Sequence, residues 1–323
     1  MIYKKKLNKC KENPEKLAFF IMTLTKLWIV FTVYFFFDFL YLFFMEKMLY
    51  YFSATGNSLH LAKDFADKMN ASLSNIATLV NNSENEVIET DANVIGFIVP
   101  VYFFGLPKIV VTFLEKLVIK SKNPYVFAVV TYGGFKGGAL NQIAEILSKK
   151  NIKLNYGGAV NTVGNYIKMY DIDEEKIPEK LEKAELKAQK VLADVKAQKH
   201  KIVSTKIDFI SKMMYDKYLK ECEDNSRYFV VDNSCVGCGL CSKICPMQNI
   251  KAAAGAQVFS PCVAENETAE RAVTFFRPGF SNKCQQCFAC IHLCPKASIQ
   301  YTEITRGRKR YHHPEVSVDE IKW

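Results

Sequence analysis

The sequence predicts two domains of different class. The first is an α/β domain, a doubly wound parallel sheet, and the second is a small α+β domain built around cysteines. Three observations predict this. Short β-prone apolar runs alternate with amphipathic helical stretches between residues 48 and 165. Eight of the eleven cysteines fall into two runs of identical spacing after residue 234. A chain of 323 residues is long enough for about two cores.

The α/β part starts at "MLYYFSATGNSLHLAKDFADKM" (48–69), which reads as strand, loop, helix. Leu49 to Phe52 is a short buried strand. Leu59, Leu61, Ala62, Phe65, Ala66 and Met69 form one apolar helical face. The loop between them, Ser53, Ala54, Thr55, Gly56, Asn57 and Ser58, is small and hydroxyl-rich and opens a helix. Its amides and hydroxyls suit a phosphate, which the helix dipole also favours. The Walker pattern is absent, which argues against a triphosphate site. Next come a strand over 93–102, a helix over 107–118 with proline near its first turn, a strand over 125–134, a helix over 137–150 and a last strand over 152–163. Such alternation implies a parallel sheet covered by helices on both faces. Ligands of such sheets bind at the carboxyl ends of the strands, where strand order reverses. Three loops meet there: Ser53 to Ser58, Tyr102 to Gly105 with Phe103 and Phe104, and Thr131 to Lys136 with Tyr132, Gly133 and Gly134.

This region resembles the flavodoxin family, whose first loop reads [TS]-x-T-G-x-[TS], over residues 48–165. The resemblance implies FMN, with its phosphate in the first loop and its ring between the other two. Tyr102 and Tyr132 are then the stacking candidates, while Phe103 or Phe104 serves equally well as a core cap.

A helix over 171–201 follows, with an apolar stripe of Ile177, Leu181, Ala184, Ala188, Val191, Leu192 and Val195. It completes the first domain. A second helical segment, 206–222, bridges to the cysteines, so that 166–227 is a helical connector.

The cysteine runs are "CVGCGLCSKICP" (Cys235, Cys238, Cys241, Cys245) and "CQQCFACIHLCP" (Cys284, Cys287, Cys290, Cys294). Both follow C-x2-C-x2-C-x3-C-P. Three thiolates at this spacing wrap one [4Fe-4S] cluster from a tight loop, and the fourth ligates the other cluster. That rule assigns cluster I to Cys235, Cys238, Cys241 and Cys294, and cluster II to Cys284, Cys287, Cys290 and Cys245. A zinc ribbon would use two cysteines per loop, not three and a Cys-Pro, twice over. The runs resemble the bacterial two-[4Fe-4S] ferredoxin family over residues 228–302. The linker between them is longer than in compact ferredoxins. Its extra stretch, 252–279, carries Cys262 and reads as a surface excursion, with a docking loop or redox-active thiol as the alternative. Cys10 and Cys222 read as structural.

A basic tail, 303–323, contains "RGRKR" and "RYHHP". His312 and His313 lack a third ligand nearby, which argues against a metal. The tail resembles one that recurs in anaerobe proteins fusing flavodoxin-like and ferredoxin domains, and residues 48–323 as a whole look like that fusion family.

The N-terminal segment 1–47 is apolar over 17–45, with nine phenylalanines from Phe19 to Phe44. Residues 27–45 are long enough to span a bilayer. Lysines 4, 5, 6, 9, 11, 16 and 26 would hold the start in the cytoplasm and send the cluster thiolates outside, against their need for a reducing compartment. Three readings stay open: sequence upstream of a start at Met45 or Met48, a membrane anchor that defies its lysines, or a helix lying against the protein. The cluster chemistry favours a cytoplasmic location, with membrane contact through 17–45 if the anchor is real.

Net charge is +10, but it is spread along the chain, and no nucleic-acid reading motif is present. The reading favoured overall is an electron-transfer protein passing electrons between FMN and two [4Fe-4S] clusters, with redox proteins as partners. The alternatives are an FMN-dependent reductase of a small molecule or quinone fed by the clusters, and a cluster-bearing docking or sensor module with an empty flavin site. No catalytic residue beyond the cofactor ligands stands out.

Overall fold

The structure is a computed structural model that describes Met22 and residues 46–83, 86–203, 209–252 and 277–322. The rest of the N-terminal segment, Cys10 and the insertion with Cys262 lie outside the described residues. Lys47–Trp323 form one compact unit. Among the described residues no helix is long and apolar enough to cross a membrane.

The elements of the first domain are β1 (Lys47–Tyr51), α1 (Asn57–Met69), β2 (Ser72–Asn75), α2 (Ile76–Asn82), β3 (Ile88–Thr90), β4 (Val94–Pro100), α3 (Lys108–Lys116), β5 (Leu117–Ile119), β6 (Tyr125–Tyr132), α4 (Ala139–Ser148), β7 (Tyr156–Asn161), α5 (Ile177–Lys196) and β8 (Lys201–Ile202). The main sheet has the order β2-β1-β4-β6-β7-β8, parallel at every pairing, and β3 pairs β5 apart from it. Order reverses between β1 and β4. Without the last strand this is the 2-1-3-4-5 order of flavodoxin-like sheets, whose ligand crevice lies at that reversal.

The central strand β4 is apolar along its length because helices cover both its faces. Ile95, Phe97, Ile98 and Val99 are fully buried, each worth about 1.5–3 kcal/mol of burial. Gly96 lies between β1 and β6 where a Cβ would sit 2.4 Å from Phe127 and 2.6 Å from Leu49, so only glycine fits.

Two expectations need correction. The strand over 152–163 is not the last of the sheet: β8 pairs with β7 beyond it. The helix over 171–201 is shorter, running Ile177–Lys196 after a 3-10 turn at Glu174–Lys176. Pro178 suits its first turn, and Gln198, at φ +46°, turns the chain out of it towards β8. Two residues are too few for a readable alternation, so β8 leaves no sequence signal. The strand β2, "SLSN", is a polar edge strand and leaves none either.

The connector forms α6 (Phe209–Glu221). The second domain comprises β9 (Phe229–Val231), α7 (Leu240–Lys243), β10 (Ile250–Ala252), β11 (Pro278–Phe280), α8 (Ala289–His292) and β12 (Ile299–Tyr301). β9 pairs β12 and β10 pairs β11, both antiparallel. The residues expected to begin and end the insertion, 252 and 278–279, are therefore strand residues.

The two domains share a core. Ala54 and Leu59 pack with Ile244, Ala289 and Leu293 of the cysteine helices and with Val316 and Ile321 of the tail. Ile167 of the first domain packs with Phe229, Phe288 and Ile299. Apolar packing of this kind opposes the relative motion expected of domains joined only by a linker. The basic tail is likewise no free extension. Tyr311, His313, Val316 and Ile321 are buried, and Val318–Ile321 forms a 3-10 turn opened by a Ser317–Glu320 capping box.

Candidate functional site

The strand β1 delivers the loop Ser53–Ser58 to the reversal point. Gly56 caps α1 at φ +95°, a left-handed conformation that favours glycine. No side chain caps α1. Its first N–H groups therefore lack intrahelical partners and face the loop, as an anion requires. The loop is held from several sides. The Gly56 N–H donates to Ser53 Oγ at 3.1 Å, and Ser58 Oγ pairs with Thr131 Oγ1 at 2.8 Å. The Asn57 amide donates to the Val163 carbonyl at 3.1 Å, and the Asn165 amide donates to Thr55 Oγ1 at 2.5 Å.

A small pit of about 40 Å³ opens beside this loop, well below the roughly 300–1,000 Å³ of a cleft that encloses a whole ligand. Ser53, Ala54, Thr55, Asn57 and Ser58 line it with Tyr102, Thr131, Tyr132 and Gly133. Thr162, Val163 and Asn165, from the loop after β7, complete it. Phe103, Phe104, Gly105 and Gly134 do not line it. The Phe103 ring stacks on Tyr218 of α6 at 4.3 Å and meets Tyr166 edge-on at 4.9 Å. Phe104 lies against Phe135. The polar lining suits a phosphate group, and Tyr102 and Tyr132 are the flat side chains in its wall.

The eight cysteines gather in two groups around two small cavities. One cavity is lined by Cys235, Cys238, Cys241 and Cys294, the other by Cys245, Cys284, Cys287 and Cys290. Each run thus sends its fourth cysteine to the other run's cavity. Among the described residues no three His, Cys, Asp or Glu side chains converge tightly enough to hold a single ion. The thiols surround a space rather than a point, which suits a four-iron cube better than zinc. Gly237 and Gly239, at φ +65° and +68°, let the first run curl back on itself.

The surroundings suit thiolates bound to a cationic centre. The Gln286 N–H points at Cys284 Sγ at 3.2 Å, the Asn249 N–H at Cys245 Sγ at 3.3 Å, and Ser298 Oγ lies 3.2 Å from Cys294 Sγ. Two buried donors have no partner among the described residues: Gln285 Nε2, on a residue lining the second cavity, and Arg310 Nη1. Burial pushes the Cys241 and Cys284 thiols up to about 12. Their thiolates therefore need the countercharge of a bound centre.

The two sites touch where Cys287 packs against the core of Ala54 and Leu59, and they are linked electrostatically through Tyr102. It lines the pit, and the Cys287 and Cys284 thiols act on its hydroxyl, whose pKa burial already raises far above the usual phenol range. The helix α6 braces the same contact: Tyr218 donates to the Gln285 carbonyl at 2.8 Å and Tyr215 to the Leu106 carbonyl at 2.7 Å.

A second connection runs through His292 of α8, buried between Cys290 and Cys294. Its Nδ1 accepts from the Tyr311 N–H at 3.2 Å, so Nε2 carries the proton and donates to the Asn165 carbonyl at 2.8 Å. Asn165 in turn holds Thr55. The tail closes the ring. Tyr311 donates to Asn57 Oδ1 at 2.6 Å, and the His313 N–H donates to the Thr55 carbonyl at 2.8 Å. No local pattern signals that Asn165, His292, Tyr311 and His313 meet at the first loop, and the resemblance of the "RYHHP" tail to a recurring one is the nearest pointer.

Comparisons with known proteins divide along the same line. The family described as "4Fe-4S dicluster domain" matches residues 227–295. No curated protein matches the chain. Among solved structures, rubredoxin oxygen:oxidoreductase from the anaerobe Desulfovibrio gigas aligns at 17% identity over 47% of this chain, with a TM-score of 0.31. The chain spans only 36% of that protein's length. The two-electron reduced flavodoxin of Megasphaera elsdenii aligns at 18% identity over 44% of this chain and 98% of its own, with a TM-score of 0.30. Fusobacterium nucleatum flavodoxin bound to flavin mononucleotide aligns at 15% identity over 48% of this chain and 98% of its own, also at 0.30. The strand order identifies the first domain and the family match the second. The chain is a fusion of a flavodoxin-like domain with a ferredoxin-type 4Fe-4S dicluster domain, and so an iron–sulfur redox protein.

Proposed function

We propose that the protein is an intramolecular electron relay between FMN at the β1/β4 crevice and two [4Fe-4S] clusters. The observation that supports this reading is the shared core: Ala54 of the phosphate loop and Leu59 of α1 pack with Ala289 and Leu293, and Cys287 of the second cysteine group lies against the same cluster. Cys235, Cys238, Cys241 and Cys294 would hold one cluster, and Cys284, Cys287, Cys290 and Cys245 the other. When bound, FMN exchanges one or two electrons and each cluster one, so their union divides a two-electron event into single steps.

The chain's own part is placement. Ser53–Ser58 and the uncapped start of α1 hold the phosphate. Tyr102 and Tyr132 flank the remainder. The shared core of Ala54, Leu59, Ala289 and Leu293 fixes the crevice against the second cysteine group, so the spacing between carriers does not depend on linker motion.

Anaerobic purification with iron, acid-labile sulfide and flavin counts tests the reading. About eight iron atoms with matching sulfide and one FMN are expected. Zinc without sulfide would refute it. A preparation with clusters that takes up no FMN would leave the docking or sensor reading in its place.

A further inference from the structure

The two cysteine groups differ in exposure. Cys290 is buried, Cys284 and Cys287 line the second cavity, and Cys287 packs against the core that Ala54 and Leu59 share with Ala289 and Leu293. In the other group Cys238 is exposed, and its neighbour Val236 is 49% exposed. Charge is one-sided as well. Residues 233–252 and 277–302 contain Lys243, Lys251, Arg277, Lys283 and Lys296 and no Asp or Glu.

One of these cations lines the exposed group's cavity, and two lie on α7 and on the strand bonded to it. Lys243 ends α7, the helix that carries Cys241. Lys251 lies on β10, whose Ile250 carbonyl accepts from Ser242 of α7 at 2.7 Å. Lys296 lines the cavity of Cys235, Cys238, Cys241 and Cys294. All three are exposed. The neighbouring acid, Asp232, already faces Arg306 at 3.8 Å.

We infer that this face is the port for a small, acidic, ferredoxin-type one-electron carrier. The carrier docks over Val236 and Cys238 with its carboxylates towards Lys243, Lys251 and Lys296. The inference rests on the relay reading and adds its outer terminus: the buried group faces the flavin crevice, and the exposed group faces the partner. The exchange moves one electron between the carrier's centre and the cluster held by Cys235, Cys238, Cys241 and Cys294. One side is oxidised by one electron, the other reduced by one, and no bond forms or breaks. Complementary charge of this kind acts mainly on the encounter rate and is screened by salt.

The test uses the full, anaerobically loaded protein mixed in stopped flow with a reduced acidic two-cluster ferredoxin. The association rate should fall about tenfold or more as ionic strength rises from a few millimolar to a few hundred. At low salt the double variant K243E/K251E should lose about tenfold, while K187E/K190E on the exposed face of α5 should match the parent. Reduction by dithionite, together with iron and sulfide content, should be the same in all three, which separates lost docking from a damaged cluster. A salt-independent rate, or equal loss in both double variants, would overturn the port with the relay intact. A parent protein without sulfide would overturn the relay and the port together.

Discussion

Replacing Gly56 with alanine should loosen both the phosphate loop and the tail. Gly56 sits at φ +95°, and a Cβ there would lie 2.9 Å from His313 Cβ and 3.1 Å from Val316 Cβ. The left-handed backbone costs an alanine about 1–2 kcal/mol. Crowding a packed contact typically adds about 1–3 kcal/mol, since His313 and Val316 are buried and have little room to retreat. The sum is about 2–5 kcal/mol, or roughly 30-fold or more in FMN affinity if it falls on the bound loop. Fluorescence titration of FMN into the flavin-free protein measures it, with a denaturant midpoint as the second readout. Iron and sulfide should be retained, because the cysteines sit on other elements. The double variant G56A/H313G removes the crowding from His313 but not the backbone strain, and should recover part of the loss. Wild-type affinity and midpoint in G56A, or no recovery in the double variant, would refute the reasoning.

Three further outcomes follow from the same contacts. His313, stacked on His60 at 4.1 Å, accepts the Glu315 N–H on Nδ1 at 3.3 Å, and burial pushes its pKa down to about 4, with His60 and His312 adding to the effect. A histidine depressed on folding contributes stability that is complete above about 6.5 and lost as pH falls towards 4; Glu185 and Glu315 flank His60 in the same cluster. The melting temperature between pH 7 and 4 should therefore drop less steeply in H313Q than in the parent, and parallel curves would count against it. The crossed thiol groups predict that C245A loses the same cluster signal as C284A, and C294A the same as C235A; pairing within each run instead would show in the electron paramagnetic resonance spectra. Arg310 has a buried Nη1 without a partner among the described residues, and Cys294 and Cys290 both act on its guanidinium. R310Q should lower the cluster potentials by on the order of tens of millivolts in a redox titration, since a nearby positive charge favours the reduced state; unmoved potentials would place its charge elsewhere.

Much of the site was legible because its chemistry is local in sequence. Ser53 to Ser58 form one loop, and each cysteine run wraps from one tight turn, so spacing alone announces them. The strands β1, β4, β6 and β7 were legible because burial on both faces demands continuous apolar runs. The aromatic loop was read less well. Tyr102 and Tyr132 reach the pit, but Phe103 turns to Tyr218 and Tyr166, partners 115 and 63 positions away that no local pattern could name.

What the sequence determined by itself is the inventory: a phosphate loop at the end of a parallel strand, and eight thiols in a repeated four-cysteine spacing. Both follow from short-range geometry, which neighbouring residues specify. Tertiary structure alone decided how the two parts meet. It set Cys287 against the core of Ala54 and Leu59, ran Thr55 through Asn165 and His292 to Tyr311, and folded the basic tail back over Gly56. All of those contacts but His292–Tyr311 join residues more than a hundred positions apart. They depend on how apolar faces such as Ala54, Leu59, Leu293 and Val316 close on one another, and burial is a property of the assembled fold, not of any one segment.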